Sequence, residues 1–355
     1  MVSPLPSSVT DLAESKHHLE APVNNPALRA YLKPLNEILK GDVTEVCVNR
    51  PGEAWTEDNN GWVRHAVPEL TLEKCQQLAK LCATTTHQKI DETTPLVSAA
   101  LATGERVQAV IAPGTSVGKV SLTIRKPSKL RMTLDDYEAS GAFDLVRVGH
   151  QANVAIEAQL QACLKERRIA DFLRLAVASK QNIIVSGATG SGKTTLMKTL
   201  VDLIPANERL ITIEDTPELQ IVNQPNHVRL FYSKDGQGVS RATPKQLLES
   251  CLRMKPDRVL LAELRSDEAF YYIRNVNSGH PGSITSVHAT SPELAIEQLM
   301  LLVKESQGGA NLSREDIKQL LYMLVDVVIQ FAKVDGKRRI TGIYYNPAKK
   351  HTLLS

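Results

Sequence analysis

Eight consecutive residues, Gly187-Ala188-Thr189-Gly190-Ser191-Gly192-Lys193-Thr194, match the spacing G-x-x-x-x-G-K-[ST] and lie between an apolar stretch and a helix-forming one. Glycines at these positions let main-chain N–H groups turn inward on a chain of phosphates, and the helix that begins at Gly192 adds the positive end of its dipole. Lys193 then offers a point charge to the β- and γ-phosphates and the Thr194 hydroxyl a ligand for Mg²⁺, with Thr195 beside it. The chemistry this predicts is binding of Mg·ATP. A Gly-rich turn that binds nothing is the bland alternative, and the strand–loop–helix context argues against it.

Two acidic positions close strands further along. Glu263 ends the stretch VLLAE, where its carboxylate can orient or deprotonate an attacking water. Glu214-Asp215 ends RLITIED and should reach the same crevice, because strand ends in a doubly wound sheet lie beside bound phosphates. Two acid positions allow one, Asp215, to hold magnesium through water while Glu263 or Glu214 handles the nucleophile; which of the two is the base stays open. Taken singly, either position could instead be a helix cap or an exposed strand end. His280 and His288 bracket the last parallel strand. An isolated histidine is more often structural, but His288, on a strand expected beside that of Glu263, could bond the γ-phosphate or the attacking water, while His280 could bond locally in its turn.

These side chains need a scaffold. From residue 165 the chain alternates strand and helix: NIIVSG, then GKTTLMKTLVDLI stopped at Pro205, RLITIED, HVRLFYS, PKQLLESCLRM, DRVLLAE, SDEAFYYIRNVNSG and SITSVHA. Such alternation predicts a largely parallel sheet with helices on both faces, an α/β fold. A helix opened by Ser313 and a hairpin turning at Asp335-Gly336 complete residues 165–355. Residues 27–128 read differently. A helix pattern at Leu28 to Leu39 is followed by VTEVCVN alternating like a half-buried strand, short strands around Asn59-Asn60-Gly61, a helix at Leu72 to Thr84, and two strands, VQAVIA and VSLTIR. This is a smaller α+β domain. Residues 1–26, mixed and aperiodic, are expected to be a flexible arm, and 129–164, polar and interrupted by Gly and Ser in its first half, the linker.

Composition narrows the class. The 42 basic and 39 acidic residues nearly cancel, and aromatic residues make up only 4% of the 355, so direct nucleic-acid binding is not expected. The five cysteines form no C-x-x-C pair, which argues against a structural zinc site. No stretch has the apolar length of a signal peptide core or a membrane span, so the expected location is cytoplasmic, at most peripheral to a membrane.

Four stretches together, GATGSGKTT (187–195), ITIEDTPEL (211–219), RMKPDRVLLAELRSDEA (253–269) and NSGHPGSITSVHAT (277–290), resemble the Walker A, acidic, Walker B and histidine boxes of the secretion ATPases. The match is closest to the traffic ATPases of type IV secretion and conjugation systems. It extends to TGERVQAVI (103–111) and SLTIRKPS (121–128), and so spans roughly residues 28–345. The resemblance implies a RecA-like P-loop domain behind the smaller α+β domain, and a homo-hexameric ring with nucleotide between the two domains. It also implies that Arg106 and Arg125 reach the phosphates from the front domain, where a guanidinium would neutralise developing charge. Both arginines could instead be ordinary exposed strand residues. Arg265 is expected to brace the acids or a subunit boundary. The implied activity is ATP hydrolysis that powers pilus biogenesis or substrate transfer, with inner-membrane and cytoplasmic components of the machine as partners on the cytoplasmic face of the inner membrane. Ala262 stands where the family usually has Gly. A pilus retraction or type II secretion motor, a RecA-like nucleic-acid motor and a nucleotide-gated scaffold without turnover are the alternatives.

Overall fold

The computed structural model describes residues 25–41, 43–58, 61–127, 131–146, 154–234 and 237–354. The expected arm up to residue 24, the Asn59-Asn60 pair of the expected hairpin turn, Ser128 at the end of the expected front domain, and parts of the expected linker (129–130 and 147–153) lie outside the described residues.

The front part of the chain begins with α1 (Pro26–Leu32) and α2 (Asn36–Lys40), separated by one short 3₁₀ turn. Strands β1 (Glu45–Val48), β2 (Glu53–Asp58) and β3 (Gly61–Ala66) follow, then α3 (Leu72–Thr85), and then β4 (Leu96–Ala100), β5 (Arg106–Ile111) and β6 (Val120–Arg125). The six strands form one antiparallel sheet in the order β3-β2-β1-β6-β5-β4. Helix α3 is capped by the Thr71 side chain, which accepts from Lys74 N. It buries Cys75, Leu78, Ala79 and Cys82 against Val46, Val48, Leu122 and Ile124, the residues that alternation puts on one face of β1 and β6.

The other face of β1, β5 and β6 is buried as well, which the half-buried pattern of VTEVCVN does not anticipate. It docks on the rear of the molecule. Asn49 Nδ2 donates to Asn226 Oδ1 (2.9 Å), the fully buried Arg209 donates to Asn49 Oδ1 (2.7 Å), and Gln108 Nε2 donates to Ser250 Oγ (3.3 Å).

Between the two parts lie α4 (Leu134–Ala139) and α5 (Val154–Lys165). Helix α5 packs Leu160 and Cys163 into the rear core. The rear part continues with α6 (Ile169–Ala178), β7 (Ile183–Ser186), α7 (Lys193–Asp202), β8 (Leu210–Glu214), β9 (His227–Phe231), α8 (Pro244–Cys251) and β10 (Arg258–Leu261). It closes with α9 (Glu268–Val276), β11 (Ile284–Val287), α10 (Pro292–Glu305), α11 (Arg314–Leu324), the hairpin β12 (Val327–Val334) and β13 (Lys337–Tyr345), and α12 (Pro347–Leu354).

The strands run parallel in two ribbons, β10-β8-β9 and β11-β7-β12, with β13 added antiparallel to β12. The ribbons meet at β10 and β11, where Leu264 N donates to Ser286 O (2.8 Å), Ser283 Oγ to Val259 O (2.8 Å) and Ser286 Oγ to Ala262 O (2.9 Å). Period-two alternation divides the core in two. Ile183, Val185, Leu260 and Ile329 face α5, α6 and α7, while Ile184, Ile211, Val259 and Val328 face α8 to α11. Among the described residues no helix is long and apolar enough to cross a membrane.

Glu45 on β1 carries a testable consequence of the docking. Its side chain is buried beside Arg125, whose Nε lies 3.3 Å away. Burial pushes its carboxyl from the ordinary 4.5 up to about 7, against the opposing pull of Arg125. A raised carboxyl holds its proton in the folded chain and not in the unfolded one, so its contribution is whole below the ordinary value and is lost as pH rises through about 7. Glu45→Gln keeps the shape and the neutral form, and should raise stability at about pH 8 by on the order of 2 kcal/mol while changing it little near pH 5. Thermal melts at the two pH values check this; an equal shift at both would show that burial does not neutralise the group.

Candidate functional site

The site grows from the C-terminal end of β7. Ser186 ends the strand, residues 187–192 turn, and α7 starts at Lys193 with Gly192 as its cap in a left-handed conformation (φ +99°). Only glycine fits the first position: a Cβ on Gly187 would lie 2.2 Å from the carbonyl oxygen of Phe331 and 2.7 Å from Ser191 Oγ. The amides of Lys193 and Thr194, which open α7, have no intrahelical acceptor, whereas that of Thr195 donates to Gly192 O (3.1 Å). Ser191 Oγ is buried with no hydrogen-bond partner among the described residues. A tight glycine turn, free amides and an orphaned hydroxyl form a cradle whose donors suit phosphate oxygens.

Lys193 is nearly buried. Its Nζ donates to the carbonyl oxygens of Gly187 (2.7 Å) and Ala188 (3.2 Å) and lies 3.2 Å from His288 Nδ1. Burial lowers its pKa from the ordinary lysine value, opposed by the nearby charge of Glu263. From the lysine a chain of contacts crosses the sheet. His288 Nε2 lies 2.5 Å from Glu263 Oε1, Glu263 Oε2 accepts from Arg265 Nη2, and Arg265 Nη1 lies 3.3 Å from Asp215 Oδ2. The imidazole thus turns Nδ1 toward the ammonium and Nε2 toward Glu263. The His288–Glu263 contact is short yet poorly aligned, so Glu263 Oε1 has no hydrogen bond of good geometry.

The topology explains this convergence. Glu263 follows β10 at the edge of one ribbon, while His288 follows β11 and Lys193 follows β7 in the other; because the ribbons meet at β10 and β11, these C-terminal ends open on one crevice. His280 lies at the opposite end of β11. It bonds the Pro256 main chain, and burial depresses its pKa.

Other sequence-derived candidates stand elsewhere. Glu214 is buried and its oxygens are fully engaged. It accepts from Thr212 Oγ1 (2.7 Å), from the main-chain N–H groups of Glu218 and Leu219 (2.8 Å each), and from Arg229 Nε (3.0 Å) and Nη2 (3.1 Å). A carboxylate so held braces the turn after β8 and has little capacity left for a water. Asp215 is directed at Arg265, and its Oδ1 accepts from Thr216 N (2.8 Å). Thr194 Oγ1 donates to Glu218 Oε2 (3.1 Å), an acid that sequence reasoning did not single out although it lies within the quoted 211–219 stretch. Thr195 is exposed on the first turn of α7.

Arg106 and Arg125 are cross-strand neighbours at exposed ends of β5 and β6, and the ion pair of Arg125 is with Glu45. No described contact joins either arginine to the phosphate loop. Besides His288 and Glu218, Phe331 and Arg338 of the β12–β13 hairpin approach it from a distance in sequence, lining Gly187 and Gly192.

Among the described residues no group of three or more His, Cys, Asp or Glu side chains could cage a metal. The Thr194 hydroxyl with a carboxylate 3.1 Å away, that of Glu218, fits a magnesium ion that takes few ligands from the protein and the rest of its shell from phosphates and water.

The chain is similar to known proteins. The family model for type II/IV secretion system proteins matches residues 29–334. A type IV secretion system protein VirB11 of Bartonella quintana is 45% identical over 334 residues, covering 91% of this chain and 94% of that protein. The VirB11 of Brucella suis is 46% identical, covering 91% of each. The crystal structure of the VirB11 ATPase from the Brucella suis type IV secretion system in complex with sulphate superposes with a TM-score of 0.86 at 45% identity, covering 92% of this chain and 99% of that one.

Proposed function

The chain belongs to the type II/IV secretion system protein family, and from that premise we propose that it hydrolyses ATP at the Gly187–Thr194 loop to drive a type IV secretion machine, as a ring of six copies on the cytoplasmic face of the inner membrane. The resemblance read from the four boxes, and the α/β class with a RecA-like P-loop domain behind a smaller α+β domain, are borne out. The observation that carries the proposal is the unbroken line from phosphate cradle to acid: Lys193, His288 and Glu263 within hydrogen-bonding reach of one another at three adjacent strand ends.

Lys193, held on the carbonyls of its own loop, exchanges them for β- and γ-phosphate oxygens. Glu263, with one oxygen left without an aligned donor, is the group with capacity to orient and deprotonate the water. His288 between them senses both, and Arg265 holds Glu263 and Asp215 in place. Thr194 and Asp215 would hold magnesium, which when bound supplies charge neutralisation at the phosphate oxygens. Glu214, sequestered by Arg229 and two amides, is a brace and leaves the base role to Glu263.

Arg106 and Arg125 remain the arginines proposed to reach the phosphates. In its own chain Arg125 pairs with Glu45 and makes no described contact with the loop, so whether it acts on its own site or on that of a neighbouring copy in the ring is open to test. Mixing two inactive variants tests this. Lys193→Gln subunits keep the arginines and Arg125→Ala subunits keep the loop, so co-assembly should restore a measurable part of the ATPase rate. If the mixture stays as inactive as either variant while hexamers still form, Arg125 acts within its own chain or not at all.

A further inference from the structure

The β12–β13 hairpin presents a feature that the site described above does not use. Lys333 stands directly opposite Arg338 across the two strands, and Lys337 and Arg339 are their neighbours. All four are exposed, and none of them forms an ion pair with a carboxylate among the described residues. Like charges facing each other across a strand pair repel. A hairpin that keeps such a pair at its tip has use for an anion.

The hairpin is also pressed onto the phosphate loop. The Phe331 carbonyl lies where a Cβ on Gly187 would be, and the Arg338 side chain lies 2.8 Å, at both Cδ and Nε, from the position of a Cβ on Gly192. Gly190, Lys333, Gly336, Lys337 and Arg338 together line a cleft of about 470 Å³. We propose that this hairpin is the second wall of the nucleotide site, with Arg338 and Lys333 binding the α- and β-phosphates of a nucleoside di- or triphosphate.

Topology decides which phosphates these are. In the order β11-β7-β12-β13 the loop after β7 has two flanks. On the β11 flank stand His288 and Glu263, so the phosphate attacked by water, the γ-phosphate, points that way. The β12 flank, with Arg338 and Lys333, therefore faces the remainder of the polyphosphate. These cations contact the same groups before and after hydrolysis, so their loss should weaken the product ADP as well as ATP. The proposal rests on the reading of Gly187–Thr194 as an ATP site.

The test measures ADP and ATP affinity of the full chain by displacement of a fluorescent ADP, at low and moderate salt. Arg338→Ala should weaken both nucleotides about tenfold, the cost of one charge-assisted contact. Arg338→Lys should recover part of the affinity, and Lys333→Ala, at the opposite position, should give a smaller loss. The loss should shrink as salt rises. Melting temperatures of all three variants guard against a misfolded hairpin, and a loss of affinity that tracks only a loss of folding would overturn the proposal. Lys193→Gln serves as the reference. If it weakens binding and the hairpin variants do not, the hairpin proposal alone fails; if Lys193→Gln also binds ADP and ATP like wild type, the ATP-site reading itself fails.

Discussion

Replacing Lys193 by Gln is expected to lower ATP turnover by about 10²–10³-fold or more, because a fixed positive charge aimed at the transferring phosphoryl group is removed from a site that excludes much of the water. The ammonium is nearly buried and bonds only to loop carbonyls and His288. The loop should therefore keep its shape without the charge, since Gln can still donate to Gly187 O. Steady-state phosphate release, with a melting curve to confirm that the fold persists, checks this. Turnover within a factor of about two of wild type would show that the loop is not where hydrolysis occurs.

Glu263→Gln should separate binding from chemistry. The amide keeps the size of the side chain and still meets Arg265, but it cannot take a proton, so turnover should fall by about 10²–10⁴-fold while Mg·ATP affinity stays near wild type. The contrast with Glu214→Gln is the sharper measurement. Glu214 accepts five hydrogen bonds from Thr212, Glu218, Leu219 and Arg229. Its replacement should therefore appear mainly as lost thermal stability. If Glu214→Gln abolishes turnover at unchanged stability and Glu263→Gln does not, the assignment of the base is reversed.

What the sequence makes legible is what is local. The phosphate loop is eight adjacent residues, and each acid or histidine that enters the crevice ends an apolar run recognisable by itself, as VLLAE and ITSVH are. The closing hairpin is announced by Asp335-Gly336. What was hidden depends on pairing across distance. Arg229 neutralises Glu214 from fifteen residues away on the next strand, and only the β8–β9 register places them together. Arg338 meets Gly192 because β12 pairs with β7, a fact no window of sequence contains. Strand β4, Leu96–Ala100, carries Ser and two Ala and so lacks the branched or aromatic pattern by which a strand is recognised. Helix α5 left a signal that its context obscured: Ile156, Leu160, Cys163 and Leu164 recur at helical spacing inside a stretch whose first half is polar.

The contact between the front sheet and β9 has a consequence beyond fixing the two parts. β9 is the outermost strand of its parallel ribbon, and part of its free side is tied down by the 114–115 segment: Phe231 N donates to Gly114 O (2.9 Å) and Thr115 Oγ1 to Arg229 O (2.8 Å). A strand with unpaired main-chain groups along one side invites any other chain to add to it. Residues 114–115 therefore act as a guard against illegitimate strand addition. A rear domain prepared alone would lose that guard and should clump through β9, and in the intact protein any swing that lifts the front sheet must hand this strip to another cover.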